Sequence, residues 1–453
     1  MSERIGRGIE RLVGADVHPA ERHLVLLFFL NLLLLLTAYY ILKVVREPLI
    51  LLEGGAVLRS YARALQAVLL IVLVPAYSLL ANRLEPARLV VWINVFFIVC
   101  LALLAALSAA GVHIGFVFFV WLGIFSTMMI AQFWSLANDV LTETEGKRLF
   151  PIMAAGGTVG GILGAQIAAR GIGHFGVYQL MLVAAGLLCG CVLLTRASYD
   201  AAQDHRQHVP RDEAVLNHDT RGGFTLVLSE RYLLLIGMSV LLLNLINTTG
   251  DFVLAQMVSA HAKTAAIGAA DNAQFQKQVI GTFYGNFETT VTTITALIQI
   301  FVVARVFKAF GVNRSVLFVP LFVSVWYGVS ALIPLLALIA VVKATEDGAE
   351  YSLGNTVQQA LFLPTSRDAK YKAKAAIDTF IVRAGDLGSA SLVAIGVYGG
   401  FGPRGFTALN SALGLLWVAV AWNIGKRYRQ LSATAGGATG VATDRPDEAE
   451  PAA

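Results

Sequence analysis

The sequence predicts an all-α integral membrane protein of twelve transmembrane helices in two pseudo-symmetric six-helix bundles. Three observations lead there. Of the 453 residues, 57% are hydrophobic and 14% charged, against about 25% charged in soluble domains, and the mean hydropathy is +0.69. The apolar residues gather in runs of about 20 or more, the length that crosses a hydrocarbon core. The runs fall into two sets of six with a polar stretch between them. This composition excludes an ordinary soluble enzyme and makes lipid the main solvent.

The first set of runs occupies 24–45, 56–81, 88–110, 114–141, 149–170 and 177–196; the second occupies 230–260, 278–307, 313–333, 335–361, 376–400 and 404–425. Five parts follow: an N-terminal segment (1–23), a first six-helix bundle (24–196), a cytoplasmic linker (197–229), a second six-helix bundle (230–428) and a tail (429–453). The N-terminal segment sets Ile5, Ile9, Leu12 and Val13 against Arg4, Arg7 and Arg11, a pattern that suits a short helix lying on the inner surface. The tail is small, polar and acidic and is expected to be disordered. Leu24 to Val45 is too long for the core of a signal peptide and has no small-residue cleavage site after it.

Lysine and arginine set the orientation. Arg4, Arg7, Arg11 and Arg22 precede the first run, Arg83 and Arg88 separate the second from the third, and Lys147 and Arg148 follow the fourth. Alternate loops continue the pattern through Arg305, Lys308 and Arg314 to Lys426, Arg427 and Arg429, whereas the opposite loops hold few cations, such as Arg170 and Arg404. The positive-inside rule then puts both termini in the cytoplasm. The net charge of +5 is accounted for by these loops, and no basic stripe with interleaved aromatics points to nucleic acid.

The two sets look related. Ser135-Leu136-Ala137-Asn138 recurs as Ser352-Leu353-Gly354-Asn355, each after an aromatic residue, Trp134 or Tyr351, and each before a basic loop and a glycine-bearing run. Two parallel six-helix repeats are the signature of the major facilitator architecture.

Ionisable residues inside apolar runs are expensive, about 2.5–3.5 kcal/mol each on the insertion scale, and are functional candidates by default. Lys343, Glu346, Asp347 and Glu350 lie nine to sixteen residues into the tenth run, near the midplane at about 1.5 Å per residue. Their i, i+3, i+4, i+7 spacing makes one stripe, which must face a partner or a wet cavity. Lys343 can pair with Glu346 or Asp347, leaving carboxylates over. Glu288 in the eighth run and Arg383 with Asp386 in the eleventh reach similar depth, and these can pair among themselves. The second half carries an acidic surplus, as proton coupling would need. The first half is cationic: Lys43, Arg46 and Glu47 close the first run, and Arg59 and Arg63 open the second on one face. Either Lys43 snorkels to the outer interface, or these four cations gather an anionic solute, arginine being suited to phosphate by its two parallel donors. Asp139, beside Asn138 at the inner end of the fourth run, is a gate or a helix-end polar residue. Asn244, Asn247, Thr248, Thr249 and Asp251 polarise the seventh run.

Other motifs read as packing or as nothing. Gly156, Gly160 and Gly164 recur every four residues and favour close helix contact, and the glycine string 156–161 lacks the Lys-Ser/Thr ending of a phosphate loop. Cys100, Cys189 and Cys191 lie in apolar runs at no metal or disulfide spacing. His205 and His208 have no third ligand. No hydrolase or metalloprotease motif is present, so neither an enzyme nor a metal or other cofactor is expected, and any driving force comes from gradients.

Phe133-Trp134-Ser135-Leu136-Ala137-Asn138-Asp139, followed by Glu143-Thr144-Glu145-Gly146-Lys147-Arg148-Leu149-Phe150-Pro151, resembles the nucleotide transporter family, the ATP/ADP translocases of plastids and intracellular bacteria and their free-living relatives. A second block, Tyr351-Ser352-Leu353 through Pro364 and on to Lys372-Ala373-Lys374-Ala375-Ala376-Ile377-Asp378, is similar to that family's Tyr-Ser-Leu helix and basic loop, and a weaker likeness covers Tyr40 to Glu47. The resemblance implies a carrier of ATP-like anions; a bacterial inner membrane and a monomer are expected, and the acidic second half suits a proton-linked transporter of nucleotides or other organic anions. It implies transport roles for Arg46, Glu47, Asp139, Lys374 and Asp378. Where the energy-parasite translocases carry Lys-Glu, this chain has Gln358-Gln359; the lysine before Tyr-Ser-Leu is Glu350, and an aspartate is Asn355. Positive charge is thereby reduced where a triphosphate would lie.

The expected roles are then phosphate attraction by Lys43, Arg46, Arg59 and Arg63; central anion contact by Lys343 and Arg383; coupling or ion pairing by Glu288, Glu346, Asp347 and Glu350; and a cytoplasmic gate of Asp139, Lys374 and Asp378, with Glu47 beside Arg46. A facilitator for a non-nucleotide solute, even a cation drawn to the carboxylates, is the alternative.

Overall fold

The structure is a computed structural model. It describes residue 18 and residues 21–81, 86–206, 223–365 and 372–441, with the side chains at 75–81, 86–90, 139, 143, 144, 147, 202–206, 223–224 and 433–441 excepted. The N-terminal surface helix and residues 207–222 of the linker read from the sequence lie outside the described residues. What is described is helical throughout, with no strand among the described residues.

The helix Arg22–Ala81 is interrupted at Gly54 and Gly55, where Gly55 takes φ 66°, ψ −163°, a conformation open to glycine and costly for other residues. A continuous helix would hold residues 47 and 59 about 18 Å apart along its axis. Glu47 and Arg59 instead form an ion pair at 2.8 Å, so the chain turns back at the two glycines, giving α1 (22–53) and α2 (56–81). Then follow α3 (Pro86–Ala109), α4 (Gly115–Val140), α5 (Glu143–His174), α6 (Val177–Arg206), the short α7 (Gly223–Ser229) and α8 (Arg231–Ala265). Helix α9 (Asn272–Leu297) runs through a π-turn, Ile298–Val302, into α10 (Val303–Ser315), which breaks at Gly311. Helix α11 is Phe318–Leu332, and α12 (Leu336–Ala349) passes through a second π-turn, Glu350–Gly354, into α13 (Asn355–Leu361). A one-turn α14 (Lys374–Ala376) joins α15 (Val382–Tyr398) through a third π-turn, Ile377–Ile381, and α16 (Pro403–Val441) closes the fold. Among the described residues nine helical stretches are long and apolar enough to cross a membrane, with Arg22–Val74 and Asn272–Ser315 each taken as one.

Local signals start several helices. Thr142 and Glu145 form a reciprocal capping box at α5, which satisfies two end donors at once. Asp271 caps α9 through the Gln274 amide at 3.0 Å. Glu53, from the end of α1, accepts from the amides of Gly115 and Phe116 at 2.6 and 3.2 Å and so caps α4 across space. Helix α16 extends to Val441, past the boundary at 428 read from composition. An existing helix adds residues far more readily than a new one starts, and the alanines there serve that extension.

Buried apolar residues form three clusters. One lies wholly within 24–191 and is centred on Phe28, Phe118 and Phe125; another lies within 226–424 around Val323, Tyr327 and Ile424. The third joins the two halves of the chain: Val44, Ile50, Ala62 and Phe119 meet Phe252, Val258, Ile280 and Phe406. That shared cluster lies at the end of the bundle where Glu53 meets Gly115. The opposite end is marked by Phe28 against Phe133 (5.7 Å between ring centroids).

Glycines set the tightest contacts. A Cβ on Gly156, Gly160 or Gly164 of α5 would stand 2.5, 2.3 and 2.3 Å from the carbonyl oxygens of Phe29, Leu33 and Thr37 of α1. The four-residue spacing is thus matched on both helices, which touch backbone to backbone. The other side of α5 meets α9, where Gly285 faces Ala165 and Ala169. Gly160→Leu should therefore lower the thermal stability of the purified protein by about 1–3 kcal/mol or more through overpacking. Gly186→Ala in α6, where nothing lies within 4 Å of the added carbon, should leave it unchanged or raised; thermal midpoints in detergent compare the two.

Candidate functional site

Among the described residues, three ion pairs bring cations of the first half onto carboxylates of the second, two of them under 3 Å and the third, Arg59 with Asp251, at 3.7 Å. Lys43 of α1 reaches Glu288 of α9 at 2.7 Å. Arg63 of α2 reaches Asp251 of α8 at 2.8 Å and donates to the Thr248 hydroxyl at 3.1 Å. Lys43 neither ends at the interface nor stands free, and Glu288 pairs with it rather than with Arg383, which binds Asp386 at 3.1 Å. The reason is position: α1 and α9 are neighbours in space, which sequence separation hides.

Around these ties the remaining charges are shared. Glu47 accepts from Arg46 at 2.6 Å and from Arg59 at 2.8 Å, and both guanidinium groups lie over the Phe119 ring, 4.2 and 5.8 Å from its centroid. In α12, Lys343 is hydrogen-bonded to Asp347 and stands 3.6 Å from Glu346 and 3.6 Å from Asp251. Glu346 accepts a 2.6 Å hydrogen bond from Tyr327, while its other oxygen has no hydrogen-bond partner among the described residues. Asn247 of α8 donates to both Asp347 (3.2 Å) and Glu350 (2.6 Å). Glu350, which lies beyond the reach of Lys343, is thus held by an amide, and the acidic surplus of the second half faces the cations of the first. In a low-dielectric setting unpartnered charge costs several kcal/mol, so these residues fold against one another.

Three cavities meet at one side chain. A polar pocket of about 190 Å³ is lined by Lys43, Arg59, Arg63, Asp251, Glu288 and Asp347 among others. An apolar chamber of about 710 Å³ has Trp134, Ser239, Glu350, Asn355, Gln358 and Trp417 in its wall, and a neighbouring one of about 310 Å³ has Tyr40, Trp134, Thr158 and Thr292. Tyr351, half exposed, lines all three. The large chamber lies toward the end of the bundle marked by Phe28 and Phe133, opposite the apolar cluster that joins the halves. The site therefore has a roomy approach on one side and a packed plug on the other.

The proposed gate residues are only partly brought together. Lys374 and Asp378 stand 3.9 Å apart and are partly exposed, and Gln358 donates to Asp378 at 3.3 Å. Asp139 lies outside the described side chains. Of the two Ser-Leu-small-Asn copies, the first continues the regular α4 and the second falls on the π-turn at Glu350–Gly354; such turns recur at functional sites. Sequence reasoning gave no role to Asp251, Tyr327 or Tyr351. Asp251 carried a usable signal, an acid within an apolar run, and Tyr351 carried one in the Tyr-Ser-Leu block; Tyr327 carried none.

No family model matches the chain. It is 22% identical over 342 residues to ADP,ATP carrier protein 1 of Chlamydia pneumoniae, a match covering 66% of this chain and 63% of the carrier. The carrier of the same name from Chlamydia trachomatis is 22% identical over 355 residues, 68% of this chain and 64% of the carrier. The match thus spans just under two thirds of the length of those relatives. Among solved structures, the POT family transporter PepTSo superposes with a TM-score of 0.63 at 12% identity, covering 92% of this chain and 99% of that one. A mutant form of the nucleoside transporter NupG gives 0.59 at 12% identity over 90% and 99%, and a bacterial homologue of the iron transporter ferroportin, inward-facing, gives 0.59 at 14% over 89% and 98%.

The chain has the fold of these transporters. Relatives and structural neighbours alike are carriers and transporters, not enzymes. The ion pairs between the halves can be tested for coupling. Lys43→Met or Glu288→Gln alone strands a partner and should destabilise the protein, up to about 3–5 kcal/mol for a fully buried pair and less here, where Lys43 is 18% exposed. The double variant should lose clearly less than the sum; additive losses in a thermal-unfolding cycle would show that the pair is not coupled.

Proposed function

We propose that the chain is a secondary transporter of nucleotides or related phosphorylated anions, working by alternating access between two six-helix bundles, 24–196 and 230–428, of a twelve-span major facilitator fold. In support of twelve, non-helical backbone at Gly54 and Gly55 interrupts Arg22–Ala81 and at Gly311 interrupts Val303–Ser315, and each break is read here as a boundary between two spans. Reading α12 with α13 and α14 with α15 as single interrupted spans then accounts for twelve. The observation that carries the reading is the polar pocket in which Lys43, Arg59 and Arg63 of one half meet Asp251 and Glu288 of the other. The likeness to ADP,ATP carriers supports a nucleotide as the solute.

On this reading Lys43, Arg46, Arg59 and Arg63 attract the anion as it arrives through the large chamber, and Lys343 and Arg383 contact it centrally. Glu288, Glu346, Asp347 and Glu350 hold those cations between turnovers or carry protons, which makes the carrier an exchanger or a proton-linked transporter. Glu47 orients Arg46 and Arg59. Lys374 and Asp378, with Asp139, act at the cytoplasmic gate. The protein sits in a bacterial inner membrane as a monomer with both termini inside, ATP is among its ligands, and no cofactor takes part. A second reading, a facilitator for a non-nucleotide solute, is favoured by one observation: every cation of the polar pocket already has a carboxylate within 4 Å, leaving little free positive charge for a triphosphate.

Uptake of labelled ATP, ADP and other nucleotides into proteoliposomes, with and without a pH gradient, tests the choice. Accumulation of at least one nucleotide is expected, and accumulation of none under either condition would reject the nucleotide reading. Replacing Lys343 by Met together with Glu346 by Gln should abolish that uptake while the protein remains monodisperse; unaltered uptake would remove the α12 stripe from the mechanism.

A further inference from the structure

Asp251 is the carboxylate on which the two halves converge. Arg63 binds its Oδ2 at 2.8 Å, Arg59 stands 3.7 Å from the same oxygen, and Lys343 stands 3.6 Å from Oδ1. Three cations face one carboxylate, and among the described residues its two oxygens meet only Arg63 at hydrogen-bond distance. The cradle is wider than the group that fills it. The other charges nearby are committed elsewhere: Glu47 to Arg46 and Arg59, Asp347 and Glu346 to Lys343, and Asp386 to Arg383. Tyr284, which also lines the pocket, has a buried hydroxyl with no hydrogen-bond partner among the described residues. The pocket wall contains Asp251 and Arg63, and their side chains keep 15% and 22% of their exposure, so an ion in the pocket can touch both.

We propose that Asp251 is a tethered surrogate for the phosphoryl group of the solute: it occupies the Arg59, Arg63 and Lys343 cradle between transport events, and a phosphoryl group takes its place when the solute binds. This rests on the anion-transport reading above. The physical reason is that buried cations without a counter-charge are costly, so a cradle kept ready for an anion needs an internal one. Three terminal phosphoryl oxygens suit three separated cations better than two carboxylate oxygens do, and arginine donates in parallel pairs to such oxygens. The exchange also has a mechanical result. Asp251 belongs to α8 and Arg59 and Arg63 to α2, so its displacement releases one ionic tie between the halves, while Lys43 with Glu288 keeps the other. The displaced carboxylate stays within reach of Lys343, on α12 of its own half, and keeps a partner.

Calorimetric titration of the full-length protein in nanodiscs with ADP, and with inorganic phosphate as the minimal probe, tests this. Asp251→Asn removes the internal competitor and should bind ADP at least tenfold more tightly than the unaltered chain. Affinity equal to or below that of the unaltered chain, in a variant that is monodisperse, overturns the proposal. Should that variant not fold, infrared difference spectra of the unaltered protein carrying 13C-labelled aspartate decide. ADP should shift an aspartate carboxylate band and adenosine should not, and unshifted bands overturn the surrogate. If the unaltered chain and the variant both fail to bind ADP, ATP and phosphate, the anion-transport reading falls as well, whereas binding to the unaltered chain without the gain in the variant removes the surrogate alone.

Discussion

The structure depends on charge pairing between two halves that also meet through apolar contact and neutral hydrogen bonds such as Gln166 to Thr289 at 2.9 Å. Lys43 with Glu288 and Arg63 with Asp251 each take one partner from either side of the chain. Neither partner is tolerable alone in an apolar interior, because desolvating an ion costs several kcal/mol that only a close counter-charge returns. The cost of charge in lipid is thereby turned into a constraint on how the halves sit. The rest of the polar cluster extends the same logic within each half, through Glu47 between two arginines and Lys343 between two acids.

The two ends of the molecule are physically unlike. At the end of Gly54 and Gly115, large apolar side chains from both halves close the interior. Toward the other end a chamber of about 710 Å³ opens beside the π-turn at Glu350, and Tyr351 stands between it and the charged pocket. The glycine seam of α5 on α1 and the contact of α5 with α9 supply rigid surfaces. Such a build has one packed side and one roomy side, with ionic ties between them.

Much of the fold and part of the site were legible in the sequence. The apolar runs match the helices because burial in lipid demands uninterrupted hydrogen-bonded apolar stretches, and the Gly156, Gly160 and Gly164 spacing foretold a backbone-close seam. The Lys343, Glu346, Asp347 and Glu350 stripe was visible because all four lie on one helix at helical spacing. Its neighbours were not. That Glu288 would take Lys43, that Asp251 would gather Arg59, Arg63 and Lys343, and that Tyr327 would hold Glu346 are consequences of tertiary packing, which no local spacing encodes. The π-turns were hidden too, since Glu350–Gly354 and Ile377–Ile381 read as ordinary helix in composition. The reach of α16 to Val441 was missed because residues from Ser432 onward looked like a polar tail.

On the transport reading, the charged pocket is reached through the large chamber from one side only, while the inter-half ties and the shared apolar cluster close the other. A single cysteine at position 351 (Tyr351→Cys, with Cys100, Cys189 and Cys191 replaced) reports it most directly, by its rate of reaction with a membrane-impermeant thiol reagent added to either face of sealed vesicles. The account predicts rapid labelling from the face where α1 begins and slow labelling from the other, with the second rate rising once Lys43 and Asp251 are both neutralised. Equal rates from both faces in the unaltered charge set, or no reaction from either, would contradict it.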